Sequence, residues 1–190
     1  MKRSNIIILV VLGVIVLWAI VVRNGLAGTQ VELNGKWGEV ETQYQRKAKL
    51  YENLIATVKG AARNEDTTLI KIVQMRSRIA DVKPDQNNPE QLAQANRQYS
   101  DIGRAIMNIN VEAYPTLKAT ELFGNLQAQV EGTENRVAIA IRDWNAVVTN
   151  YNGKVVRFPN NLIAGMLGYT QKPNFKADEG AKDTKIDFGK

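Results

Sequence analysis

Two polar residues interrupt otherwise apolar helical seams, and they mark the positions where chemistry is conceivable. Lys47 lies in one seam and Thr133 in another, with Glu134 directly after Thr133. A charge inside a helical bundle needs a partner, because a stranded buried charge costs several kcal/mol. We therefore expect a polar layer in which Lys47 or its neighbour Arg46 faces Glu134 or Glu112.

Three roles are open for this polar layer. Register fixing is favoured, because polar residues at seam positions set the alignment of helices in coiled coils. Alternatively, Lys47 carries its charge to the surface on its long apolar stem, or titrates low enough to act in catalysis. The sequence has no histidine and no cysteine, which removes the commonest general base and the thiolate metal ligands. We predict no catalytic residue, no cofactor and no metal site.

The helices that must position these residues are indicated by apolar residues at alternating four and three spacing. The first predicted helix spans residues 29–63 and the fourth spans residues 119–151, ending at Asn152-Gly153. A shorter second helix, with Asn64, Asp66 and Thr67 as candidate caps, carries Leu69, Ile72, Val73, Ile79 and Val82, and a third begins at Pro89 with Asn88 as its N-cap. The first seam is Leu33, Trp37, Val40, Tyr44, Lys47, Tyr51, Leu54, Val58 and Ala61. The third is Leu92, Ala95, Tyr99, Ile102, Ile106, Ile109 and Ala113. The fourth is Ala119, Phe123, Leu126, Val130, Thr133, Val137, Ala140, Trp144, Val147 and Tyr151.

The N-terminal residues 6–22 are seventeen consecutive apolar or small residues without a charge. As a helix they would extend roughly 25 Å, near the thickness of the hydrocarbon core. We expect a cytoplasmic stub, a transmembrane helix at about residues 5–23 and a hinge around residues 24–28. The alternative is a cleaved signal peptide, although the apolar run is longer than a usual signal core. Lys2 and Arg3 favour a cytoplasmic N-terminus and an outward-facing body.

No stretch alternates like a β-strand, so the sequence predicts an all-α fold. We expect an N-terminal transmembrane helix followed by an up-and-down four-helix bundle with two long and two shorter helices. The bundle is expected over residues 28–169, with residues 170–190 as a mobile polar tail.

Residues 153–169 concentrate apolar side chains around a small helix that Pro159 and Asn160 are expected to start. The segment either caps an end of the bundle or forms a patch for membrane contact or self-association. Its apolar members are Val155, Val156, Phe158, Leu162, Ile163, Met166 and Leu167.

Several clusters resemble the signature of the LemA family, and the similarity runs from the anchor to Phe175. They are Asn53-Leu54-Ile55, Thr57-Val58-Lys59-Gly60, Glu112-Ala113-Tyr114-Pro115, Leu117-Lys118-Ala119, Thr133-Glu134-Asn135-Arg136, Tyr151-Asn152 and the run from Phe158 to Ala164. Glu52 stands where the family usually has a proline, and Asn64-Glu65 where it often has His-Glu. The resemblance implies a single-pass bacterial envelope protein with a four-helix body, and it supplies no activity.

Three functions compete on this basis. The first is a non-enzymatic scaffold or partner-binding module of the bacterial inner membrane, with self-assembly into homo-oligomers as an extension. The second is lipid binding or membrane remodelling through residues 153–169 and basic helix faces. An enzyme is the third. The net charge of +6 is scattered along the chain and forms no nucleic-acid-binding motif.

Overall fold

A computed structural model describes residues 3–61, 74, 77, 84–113 and 121–175, without the side chains of 57–61, 106–113, 121–124, 126 and 127. The helices are α1 (Arg3–Ala61), α2 (Pro89–Ala113), α3 (Glu121–Val156) and α4 (Asn160–Met166). None of the described residues forms a β-strand, so the all-α prediction is confirmed. The chain divides into a first unit, Met1–Gly38 with Arg142–Asn174, and a second unit, Glu39–Ile141 with Phe175–Lys190.

The longest helix, α1, continues for 59 residues without a break. The hinge expected at residues 24–28 is wrong, because this stretch is helical. Each helical glycine costs only about 1 kcal/mol relative to alanine, which a long helix with buried neighbours tolerates. In addition, the Thr29 hydroxyl donates a hydrogen bond of 2.9 Å to the carbonyl of Gly25.

In the first unit, α1 exposes most of its large apolar side chains from Ile6 to Val21. This is the helix that is long and apolar enough to cross a membrane among the residues described. Burial becomes regular further along, and Trp37 packs edge-on against Trp144 of α3 with ring centroids 5.3 Å apart. Lys154, ten residues after Trp144, contacts Thr29, eight residues before Trp37. Within this unit α1 and α3 are therefore antiparallel.

In the second unit, α1 packs against both α2 and α3. Tyr44 hydrogen-bonds Asn96, and Tyr51 lies against Gly103, so residue numbers rise together and α1 and α2 are parallel. The first and third helices of an up-and-down bundle have this relation. The second predicted helix lies outside the described residues, apart from positions 74 and 77, and the complete four-helix arrangement stays a prediction.

Burial follows the predicted seams over most of their described length, although Val130 and Thr133 on α3 are only half-buried. The start of α2 is also as predicted, since the Gln91 amide donates to the Asn88 side-chain oxygen at 3.0 Å. Buried seam residues are Leu33, Trp37, Val40, Tyr44, Lys47, Tyr51 and Leu54 on α1, Leu92, Ala95, Tyr99 and Ile102 on α2, and Val137, Ala140, Trp144, Val147 and Tyr151 on α3.

Two predicted ends differ from the structure. α3 continues past Asn152-Gly153 to Val156, because Gly153 is compatible with a helix and Lys154 suits the negative end of the helix dipole. The polar tail was expected from residue 170, but the Lys172 backbone is bonded to Asn152 and Phe175 is buried. The tail beyond Phe175 lies outside the described residues.

Candidate functional site

The centre of the second unit is an ion pair between α1 and α3. Lys47 is completely buried, and its Nζ lies 2.7 Å from Oε1 and 2.8 Å from Oε2 of Glu134. The Glu134 side chain is 41% exposed, so one partner reaches water while the other does not. Since Lys47 is removed from solvent, Glu134 supplies the charge compensation that its burial requires.

Two tyrosine side chains also contact this ion pair. The Lys47 ammonium lies 4.8 Å from the centre of the Tyr99 ring, a cation–π distance. Tyr51 donates a hydrogen bond of 3.3 Å to Glu134 Oε1 and packs edge-on against Tyr99 at 5.4 Å. We name Lys47, Glu134, Tyr51 and Tyr99 the polar cluster.

Two contacts with α2 fix the rings around the polar cluster. Tyr44 donates a hydrogen bond of 2.6 Å to Asn96 Oδ1, and its ring lies 6.1 Å from that of Tyr99. A Cβ atom on Gly103 would stand 3.0 Å from the Tyr51 hydroxyl oxygen. Glycine at this position therefore lets the Tyr51 hydroxyl approach α2 closely.

Burial dominates the titration of these groups. It lowers the pKa of Lys47, and the charge and hydrogen bond of Glu134 oppose that shift. The pKa values of Tyr44 and Tyr51 are raised, first by burial and then by the Glu134 charge. Burial, followed by the charges of Glu52 and Glu134, raises the pKa of Tyr99 to about 12. The tyrosines therefore remain protonated hydrogen-bond donors at neutral pH.

A groove of about 660 Å³ lies on the faces of α1 and α3 in the same unit. It presents three cationic side chains, from Arg46, Lys49 and Arg136, and its described lining contains no carboxylate. The remaining lining residues are Leu50, Asn53, Asn125, Ala128, Gln129, Gly132 and Thr133. Such a surface attracts anions, but it offers no acid–base pair for catalysis.

The structure separates the residues of the predicted polar layer. Lys47 and Glu134 meet, whereas Arg46 and Thr133 line the groove instead. The side chain of Glu112 lies outside the described residues. Among the described residues, no group of three acidic, histidine or cysteine side chains is placed to hold a metal ion.

Sequence reasoning placed the tyrosines in the apolar seams and missed their polar contacts. Tyr44, Lys47 and Tyr51 stand three and four residues apart, so one helix face had to hold all three. That spacing is the signal that could have grouped them. No comparable signal in the sequence pairs Asn96 or Tyr99 with this face.

The predicted capping or interaction patch lies in the first unit, and most of it faces outward. Val155 is buried and Ile163 is half-buried. Phe158 is 80% exposed and Met166 is 84% exposed. The other exposed members are Val156, Leu162 and Leu167.

Comparison with known proteins decides the family. The model of the LemA family matches residues 36–188. The chain belongs to the LemA family. The match contains the described part of the second unit, and with it the polar cluster and the groove.

Protein LemA of Metamycoplasma hominis is similar to this LemA-family chain, with 26% identity over 157 residues. That match covers 83% of this chain and 70% of the relative. The magnetosome proteins MamQ 1 and MamQ 2 of Paramagnetospirillum magneticum are each 29% identical over 76 residues. This chain matches only 28% of the length of each MamQ protein, and 40% of this chain is covered.

Proposed function

We propose that this LemA-family chain is a single-pass protein of the bacterial inner membrane, presenting a non-enzymatic helical scaffold or partner-binding module at the outer side. The observation that carries the proposal is the change in burial along α1. Its large apolar side chains are mostly exposed up to Val21, and side chains from Val22 to Ile55 are buried at helical spacing. Lipid is the solvent that accepts the first pattern, and protein packing produces the second.

The chemistry of the second unit supports a scaffold better than an enzyme. Lys47 is the buried amine whose pKa is lowered, yet Glu134 and Tyr99 occupy its surroundings and water does not reach it. A nucleophile needs room for its substrate. The polar cluster therefore fits a register-fixing role, in which a buried polar contact defines how α1 and α3 align.

Membrane anchoring is tested by placing charge in the apolar part of α1. Each arginine near the centre of a span opposes insertion by about 2.5–3.5 kcal/mol. We expect the double variant Leu12→Arg/Ile15→Arg to be lost from carbonate-washed membranes, and Val31→Arg, at an exposed apolar position beyond the run, to be retained. If the double variant is retained like the natural chain, the anchor is wrong.

Scaffolding is tested by crosslinking the full chain in cells and by light scattering in mild detergent. We expect specific crosslinked proteins or a defined homo-oligomer. A strict monomer that crosslinks to no protein would contradict the scaffold.

The side of the membrane on which the body lies is tested by labelling Arg104→Cys with an impermeant maleimide. The label reports on this position alone, because the chain has no other cysteine. Labelling in intact spheroplasts is expected for an outward-facing body.

The second candidate function is direct lipid engagement. The exposed side chains of Phe158 and Met166 favour it, since large apolar side chains that remain outside a core mark contact surfaces.

A further inference from the structure

In the first unit, a segment at the end of α3 leaves that helix, exposes Phe158, Leu162 and Met166, and returns to it. The Asn152 side chain donates to the Lys172 carbonyl at 2.7 Å and accepts from the Lys172 amide at 2.8 Å. The chain therefore leaves α3, turns through α4 and returns to a point one turn before the end of α3. Residues 153–171 form a tip held at both ends.

The tip is ordered by its own backbone. After α4, Gly168 has a φ of +77°, the left-handed conformation that glycine adopts without strain. The Gly168 amide donates to the Gly165 carbonyl at 3.2 Å, and the Tyr169 amide donates to the Ala164 carbonyl at 2.9 Å. This Schellman motif ends α4 and turns the chain back, and Ala164 within the tip is buried.

One contact places the tip beside the end of the apolar run of α1. Lys154 donates to the Gly25 carbonyl at 3.4 Å and to the Thr29 hydroxyl. Gly25 comes three residues after Val22, the last residue of the apolar run. Since α3 is antiparallel to α1 in this unit, the chain beyond Lys154 continues toward the apolar run.

The surface of the tip combines apolar and basic side chains. Phe158, Leu162 and Met166 are exposed, and the half-buried Lys154 and exposed Arg157 precede them. From residue 144 to residue 175 the sequence has three basic residues and no aspartate or glutamate. This composition matches the boundary of an anionic bilayer, where apolar side chains enter the acyl region and cations meet phosphates.

We propose that residues 156–167 form an interfacial element that inserts Phe158, Leu162 and Met166 into the leaflet where the α1 span ends. The inference rests on the proposed membrane anchor. Lipid is the favoured occupant because Lys154 places the tip beside the end of the apolar run of α1 and its basic residues complement anionic headgroups. The element gives the chain a second attachment to the same membrane, beside the span.

The test uses full-length single-cysteine variants labelled with the fluorophore NBD in phosphatidylcholine–phosphatidylglycerol vesicles that contain doxyl-quencher lipids. Phe158→Cys and Met166→Cys report on the tip, and Leu12→Cys reports on the span. Val31→Cys is the matched control, because Val31 is an apolar residue of α1 that is 72% exposed. We expect blue-shifted, lipid-quenched fluorescence at positions 12, 158 and 166, and unquenched fluorescence at position 31.

The outcomes separate the tip from the anchor. Quenching at position 12 with water-like fluorescence at positions 158 and 166 would overturn the interfacial element and leave the anchor intact. A blue shift at positions 158 and 166 without lipid quenching would show that protein covers the tip, which also overturns the proposal. No quenching at position 12 would reject the anchor itself and, with it, the proposed element. Arg157→Glu is expected to weaken quenching at position 166 in anionic vesicles and leave it unchanged in neutral ones.

Discussion

The two units depart from ordinary protein packing in opposite directions. The second unit buries a charged side chain, since Lys47 is fully buried in contact with Glu134 and Tyr99. The first unit leaves apolar surface outside, along the start of α1 and at Phe158 and Met166. A buried charge is tolerated only with a partner, and an exposed apolar surface of this size calls for a solvent other than water.

Two lysines on these helices make contacts of different kinds in the two units. Lys47 points into a carboxylate and an aromatic ring, whereas Lys154 meets a carbonyl and a hydroxyl of α1. The first contact joins helices through charge and is suited to fixing their alignment. The second ties the end of α3 to α1 without a carboxylate, which leaves positive charge near the proposed lipid boundary. The same residue type therefore meets a carboxylate and an aromatic ring in one unit and only neutral oxygens in the other.

The strongest destabilisation is expected from a substitution in the apolar core of the first unit. Trp144 is fully buried against Trp37, so Trp144→Ala should cost about 3–5 kcal/mol of unfolding free energy. Phe158→Ala is the control at an exposed aromatic and should change stability by less than about 0.5 kcal/mol. Both are measured by denaturant unfolding in detergent. Equal losses for the two variants would contradict the distinction between core and exposed apolar surface.

The next effect comes from breaking the ion pair. Glu134→Gln leaves the buried Lys47 charge without its counter-ion and should destabilise the chain by about 3 kcal/mol, at the low end for buried pairs because Glu134 is partly exposed. Adding Lys47→Met should recover much of the loss, since no charge is then stranded. Thermal and denaturant unfolding measure both variants.

A surface pair on α2 supplies the matched control for this ion pair. Asp101 and Arg104 are also 2.7 Å apart, but both side chains are more than 60% exposed. Asp101→Asn should cost at most about 0.5 kcal/mol. An unchanged unfolding midpoint for Glu134→Gln would show that the polar cluster does not stabilise the fold.

Alkaline pH should weaken the second unit through its tyrosines. The pKa of Tyr99 is raised from 10.0 to about 12. The contribution of the protonated Tyr99 to the stability of the fold is therefore complete below pH 10 and is lost as the pH rises through 12. Lys47 acts in the opposite direction below pH 10.5, because its pKa is lowered and stability rises as its charge is removed. Tyr99→Phe should reduce the loss of unfolding free energy above pH 10 by about 1–2 kcal/mol, as measured by denaturant titrations. An identical pH profile for Tyr99→Phe would exclude this contribution.

The weakest effect on stability is expected from Gly103→Ala, which should destabilise the natural chain and stabilise a Tyr51→Phe variant. In the natural chain Gly103→Ala brings a Cβ to 3.0 Å from the Tyr51 hydroxyl, and we expect a loss of about 0.5–1 kcal/mol. In a Tyr51→Phe background the nearest ring atom is at the ordinary distance of 3.5 Å. The same substitution should then stabilise by up to about 1 kcal/mol, because alanine favours the helix. Destabilisation in both backgrounds would show that the hydroxyl is not what excludes a side chain.

Most of the fold could be predicted from sequence because burial repeats with helical spacing. Leu33, Trp37, Val40 and Tyr44 on α1 follow the pattern directly, and so does the Asn88 cap of α2. Helix ends were harder. The glycines predict a hinge at residues 24–28 and a helix end at Gly153, but a single glycine costs too little to end a helix supported by packing.

The candidate sites could be predicted only in part. Lys47 and Glu134 stood out as polar interruptions or neighbours of apolar seams, and the structure joins them. Asn96 and Tyr99 reach the same place through the pairing of α1 with α2, which depends on register that no local pattern encodes. The exposure of Phe158 and Met166 depends likewise on how Asn152 and Lys172 close the tip.

The exposed apolar stretch of α1 is expected to lie in lipid. The most direct measurement is the accessibility of a nitroxide at Leu12→Cys in the reconstituted full chain, compared with a nitroxide at Val31→Cys. We predict that position 12 is relaxed by oxygen and shielded from a water-soluble nickel complex, with the reverse at position 31. Equal nickel accessibility at both positions would contradict a location of this apolar stretch in lipid.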